Sequence, residues 1–160
     1  MKDTSQETRQ LHAVMAADAA ASAAATSASS PADGSGSPDE TAAIEIGKLL
    51  TDHNGGDVVV LDMRQINFWT DFFVIATVTS GTHLSGLDRH IKDFVIENNL
   101  EIIRRSRKPD IDDEWSLIDL GGIVIHLMTS RARSFYELER LWSSAPVIYA
   151  DASYKIAGPV

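Results

Sequence analysis

Two apolar runs constrain this chain most. Asp57-Val58-Val59-Val60-Leu61-Asp62 and Phe72-Phe73-Val74-Ile75-Ala76-Thr77-Val78-Thr79 are continuous rather than alternating. A strand with one solvated face alternates apolar and polar residues, whereas a strand covered on both faces has no reason to. Both segments therefore predict strands inside a covered sheet. A polar connection, Arg64–Asp71, joins them and contains Phe68 and Trp69.

Helix signals flank these runs. Ser37-Pro38-Asp39-Glu40 combines a capping hydroxyl, a proline where its missing N–H costs nothing and an acid three residues on. Ala42, Ile44, Ile46, Leu49 and Leu50 follow as an imperfect apolar face, and Asn54-Gly55-Gly56 should end the helix through glycines free to take positive φ. A second helix opens at Ser80-Gly81-Thr82, carries Leu84, Leu87, Ile91, Phe94 and Val95 as one stripe, and closes at Asn98-Asn99. Leu100–Arg105 reads as a third strand, and Lys108-Pro109-Asp110 as a turn. Trp115–Leu120 and Ile123–Thr129 read as two strands of a hairpin, because Gly121-Gly122 suits a tight primed turn. A last helix, capped by Thr129 or Ser130, should bury Phe135, Leu138, Leu141 and Trp142, pair Arg133 with Glu137 and stop at Pro146. The predicted fold is α/β: one mixed β-sheet of about five strands with flanking helices.

Residues 1–37 are different in kind. Ten of residues 11–30 are Ala, and large apolar side chains are scarce. Such a segment buries too little surface to offset its ordering entropy, so a disordered Ala/Ser-rich tail is expected at 1–37. The folded domain is expected at 38–149, with a flexible C-terminal tail at 150–160.

Charge and composition exclude several function classes. The net charge is −9. Residues 1–40 hold two cations against six acids, which leaves −5 for the rest. An acidic domain is poorly matched to a phosphate backbone, so little direct nucleic-acid contact is expected and a basic protein is the better partner. The chain has no Cys, which rules out disulfides and thiolate metal sites. No apolar run is long enough to span a membrane, and the N-terminus lacks the apolar core of a secretory signal. A cytoplasmic protein is expected.

The C-terminal blocks carry a family resemblance. Asp113-Glu114-Trp115-Ser116-Leu117-Ile118-Asp119-Leu120-Gly121-Gly122-Ile123-Val124-Ile125-His126-Leu127-Met128 is followed by Arg133-Ser134-Phe135-Tyr136-Glu137-Leu138-Glu139-Arg140-Leu141-Trp142. Upstream stand Val58–Asp62, Thr70-Asp71-Phe72-Phe73-Val74-Ile75-Ala76-Thr77 and Thr79-Ser80. In this order, over residues 41–149, the chain resembles the ribosomal silencing factor (Iojap-like) family. It departs at Lys108-Pro109, where members usually have Glu-Gly, and at Gly122, where they usually have Asp. The resemblance implies a nucleotidyltransferase-like fold used for binding rather than catalysis. It implies a translation repressor that docks on ribosomal protein fourteen of the large subunit and blocks joining of the small subunit. Isolated members are often dimeric, so a homodimer is a further expectation. No cofactor is implied.

Strand alternation proposes the docking residues. Ser116, Ile118 and Leu120, with Ile123, Ile125 and Leu127, should face the helices. Trp115, Leu117 and Asp119, with Val124, His126 and Met128, share the opposite face, which is expected to stay open for a partner. Trp and Met are enriched at interfaces. Glu137 and Arg140 on the last helix should be exposed beside them. His126 has no second His at metal-ligand spacing, and His83 and His90 read as solvated. The enzyme alternative is a Mg-dependent nucleotidyltransferase. It rests on Ser80-Gly81-Thr82 as a phosphate-holding helix start and on Asp110 and Asp112 as paired carboxylates. Thr79-Ser80 is equally a helix cap, and the two acids lie in a polar loop, so a binder is the reading adopted.

Overall fold

The computed structural model describes residues 37–66, 70–107 and 114–154. The elements run α1 (Pro38–Asp52), β1 (Gly56–Asp62), β2 (Phe72–Val78), α2 (Gly81–Glu97), β3 (Arg104–Arg107), β4 (Trp115–Asp119), β5 (Ile123–Thr129), α3 (Ser130–Tyr136), α4 (Leu138–Leu141) and β6 (Val147–Ala150). They build one mixed sheet of six strands in the order β3-β4-β5-β2-β1-β6. Only the central pair, β2 and β5, is parallel; the other neighbours are antiparallel. The parallel pair needs a long connection, and α2, β3 and β4 supply it.

Both faces of the centre are covered, as the continuous apolar runs predict. On one side, Val58, Val60, Phe72, Val74, Ala76, Val78, Ile118, Ile123, Ile125 and Leu127 pack with Ala43, Ile46 and Leu50 of α1 and Leu84, Leu87, Ile91 and Val95 of α2. On the other, Val59, Leu61, Phe73, Ile75, Val124 and Met128 pack with Ala132, Leu138 and Ala145. β2 is therefore buried along its whole length.

The two long helices form where their caps say. Ser37 Oγ accepts the Glu40 amide at 3.2 Å, and Ser80 Oγ accepts the His83 amide at 3.0 Å. The end of α1 corrects the expected use of its glycines: Asn54 takes the positive φ of 65°. Gly55 is needed for closeness, since its amide donates to the Leu50 carbonyl at 2.7 Å and a Cβ would lie 2.7 Å from that oxygen. In the hairpin turn only Gly121 has positive φ, at 92°, which fits a II′ turn. A Cβ at Gly122 would lie 2.5 Å from Asp39 Oδ2 and 3.6 Å from Asp71 Oδ2. A carboxylate at this position would stand beside those of Asp39 and Asp71 and be repelled by them.

Three expectations need correction. The third strand is shorter and later than expected, starting at Arg104, because Leu100 ends α2 by donating its amide to Val95. Lys108-Pro109 and Asp110 lie outside the described residues. The sixth strand was not foreseen, and the structured region continues past 149. Val58 and Asp151 exchange bonds: Asp151 N–H donates to the Val58 carbonyl at 3.0 Å, and Val58 N–H donates to Asp151 Oδ2 at 3.1 Å. The expected flexible tail at 150–160 thus begins with an ordered turn, while residues 155–160 lie outside the described residues.

Two outcomes are expected. Gly47 faces Tyr149 Cδ1 and Val60 Cγ2, where a Cβ would come within 2.9 Å of each. Gly47→Ala should therefore lose a net ~1–2 kcal/mol in urea unfolding, with overpacking outweighing the helical gain from Ala. The Asp151 carboxyl is raised by burial but held below its ordinary value overall by hydrogen bonds from Ser153, Val58 and Tyr154. Asp151→Ala should cost about 1 kcal/mol at pH 7. That difference is present above about pH 4 and should vanish as pH falls through the depressed value, measured as urea midpoints across an acid series.

Candidate docking face

Trp115, Leu117 and Asp119 stand opposite Met128, His126 and Val124 in the β4–β5 ladder. The alternation is as expected, but the open surface is not. Met128 is 0% exposed, Val124 and Asp119 3% and His126 4%. The face is the second core, covered by α3 and α4. Asp119, His126 and Met128 are therefore corrected from exposed contacts to buried supports. Asp119 Oδ1 accepts the Gly121 amide at 2.8 Å, so this acid closes its own turn. Trp115 and Leu117 are half-buried at the margin of that core.

A row of rings runs outward from it. Phe73 meets His126 edge-on at 4.8 Å between centroids. The Trp115 indole N–H donates to His126 Nδ1 at 3.3 Å. Trp115 and Tyr136 lie 4.9 Å apart, and Tyr136 and Phe135 meet edge-on at 4.9 Å. Each such pair adds roughly 0.5–1.5 kcal/mol beyond area burial. The row ends at Phe135, which is 60% exposed. Burial, and then the nearby Glu114 charge, push the Tyr136 hydroxyl above its ordinary pKa.

The last helix is broken, which redistributes its residues. Glu137 takes a left-handed conformation at φ 47° and ψ 52°, separating α3 from α4. Leu138 is buried and Trp142 packs on the second core, as expected. Phe135 and Leu141, at 60% and 51% exposure, face outward instead. The expected Arg133–Glu137 pair does not form. Arg133 Nε donates to Glu139 at 2.6 Å, and its Nη1 donates to Thr77 Oγ1 at 2.8 Å and the Gly56 carbonyl at 3.4 Å. Glu137 pairs with Arg140 at 3.3 Å, both well exposed. Sequence reasoning missed Phe135 and Leu141 as surface residues, because Glu137 is neither Gly nor Asn and nothing local announces the break.

The helix start named in the enzyme alternative is capped from within the chain. The helix-start amide of His83 is taken by Ser80, and the Thr79 amide donates to His83 Nδ1 at 3.1 Å. Asp110 and Asp112 lie outside the described residues. Among the described residues no group of three or more metal-ligating side chains is placed to hold an ion, and no helix is long and apolar enough to cross a membrane. His90, expected to be solvated, stacks on His53 at 3.6 Å.

Comparison with known proteins gives concordant matches. The family model described as "Ribosomal silencing factor during starvation" matches residues 36–158. A ribosomal silencing factor of Treponema pallidum is 34% identical over 106 residues, covering 66% of this chain and 94% of that protein. A mouse protein named for mitochondrial assembly of the ribosomal large subunit is 33% identical over 97 residues, covering 59% of this chain but 42% of its own length. A crystal structure from Bacillus halodurans superimposes with a TM-score of 0.54 at 29% identity, covering 68% of this chain and 94% of that one.

Arg133 ties the broken helix to the ends of β1 and β2, with its side chain 11% exposed. Arg133→Met should lower stability by about 2–3 kcal/mol, since it strands a half-buried Glu139 and three bonds to a charged group. Chemical denaturation of the variant, against Glu137→Ala as an exposed control with a loss below ~0.5 kcal/mol, checks this.

Proposed function

The chain belongs to the ribosomal silencing factor family, and from that premise we propose that it represses translation by docking on the large ribosomal subunit and excluding the small one. The partner in this reading is a basic protein component, ribosomal protein fourteen of the large subunit. The chain acts by occupying a surface, with no catalytic step.

The observation that carries this reading is the row of rings. It is anchored in the second core at Phe73 and His126 and emerges through Trp115 and Tyr136 to an exposed Phe135. A rigid aromatic platform loses little entropy on binding and suits the centre of an interface. Trp115 and Leu117 supply that centre, extended by Phe135 and Leu141. Glu137 and Arg140, paired and exposed, supply a charged rim. Asp119, His126 and Met128 support the platform from beneath. Two further facts favour a ribosomal protein of the large subunit. The net charge of −9 disfavours phosphate contact. The mouse relative is named for large-subunit assembly.

Co-sedimentation with purified large subunits tests the reading. The wild-type chain should pellet with large subunits and reduce their joining to small ones. Trp115→Ala should weaken binding roughly 30-fold, as for a central aromatic, and Arg140→Ala only a few-fold. No sedimentation of the wild-type chain sinks the docking reading; undiminished binding by both Trp115→Ala and Phe135→Ala moves the site elsewhere.

A further inference from the structure

Resting on that docking face, we propose that His126 is a positioning residue whose neutral ring holds the Trp115 indole in its docking pose, so that protonation of the ring weakens ribosome binding. An indole N–H can only donate. His126 Nδ1, 3.3 Å from it, must therefore accept and carry no proton. The neutral ring then bears its proton on Nε2. A proton added at Nδ1 sets two donors against each other, and the bond is lost.

The histidine cannot readily turn away. It is 4% exposed, lies against Phe73, and sits mid-strand between Leu117 of β4 and Ile75 of β2. Trp115 opens β4 and is half-buried, whereas His126 is enclosed. Protonation therefore shifts the docking residue rather than the histidine.

Among the described residues, the charged and titratable groups on the surrounding elements have other engagements. On β4, Asp119 accepts the turn amide of Gly121. Glu114, just before β4, lies 3.6 Å from Arg131. On α3, Tyr136 is pushed up by burial and by Glu114, so it stays neutral across the range in which an imidazole titrates. Arg133 is held by Glu139, and Glu137 by Arg140. β2 contributes only Phe73, Ile75 and Thr77 on this side, the last bonded to Arg133.

Two measurements on the full chain test the proposal. In the first, the Trp115 indole N–H resonance is followed by nitrogen-15 NMR against pH, with the His126 ring as reference and Trp69→Phe and Trp142→Phe for assignment. The indole signal should move with the His126 titration. An indole signal indifferent to that titration overturns the proposal. In the second, binding to large subunits is measured over the same pH range. Wild-type affinity should fall about tenfold on protonation, as expected for loss of one buried hydrogen bond. His126→Asn keeps an acceptor oxygen near the Nδ1 position and cannot titrate, so its affinity should not follow pH. His126→Phe has no acceptor and should bind more weakly than His126→Asn. Trp115→Phe, which lacks the donor, should also lose the pH response and serves if either His126 variant fails to fold. A moving indole signal with pH-independent wild-type binding overturns the positioning role alone. No binding at any pH overturns the docking reading and this proposal with it.

Discussion

The parallel pairing of β2 with β5 is the interaction on which the rest of the structure depends. Seven consecutive residues of β2, from Phe72 to Val78, pair with Ile123 to Thr129. Nearly all their side chains are buried, on both faces. A sheet centre of this kind is stable only if each face is covered, because each large apolar side chain left in water forgoes roughly 1.5–3 kcal/mol. One cover comes from α1 and α2. The other must come from the remaining chain, and α3, α4 and the segment to Tyr154 provide it.

That second cover shapes the candidate site. It is small, built of helices of seven and four residues, and does not extend over the whole face. Where it stops, at the β4 margin, rings that began in the core reach the surface. The proposed docking face is thus the boundary of a core rather than an open sheet. Its aromatic members are held on one side by protein and available on the other. Glu137, forced into a left-handed conformation, makes this possible. The break lets Leu138 and Trp142 turn inward while Phe135 and Leu141 turn outward.

Polar side chains hold the covers in place at their ends. Arg133 draws α3 and α4 onto the ends of β1 and β2. Asp151 fastens the turn after β6 to Val58. Near the hairpin, Arg64 clasps Asp62 and Glu40, with Asp62 held below its ordinary pKa chiefly by that guanidinium. Asp71 is pushed above its own by burial and by Asp39. In that crowded acidic corner a glycine at 122 avoids a further repulsion.

What the sequence by itself determined was local and periodic. The continuous runs of β1 and β2, the Ser37 and Ser80 caps, the α2 stripe and the Gly121-Gly122 hairpin all follow from residues close together in the chain, and their structures match. The ordered blocks also sufficed to reveal the family. Only the tertiary structure decided which faces were buried. Alternation assigned Trp115, His126 and Met128 to one face of the hairpin, but it cannot say whether another part of the chain will cover that face. The sixth strand and the helix break were hidden for the same reason. β6 is a strand because β1 presents an unpaired edge, and Glu137 leaves the helical region because core packing of Leu138 and the Arg133–Glu139 pair outweigh its intrinsic preference. These are long-range energies, carried by no single segment.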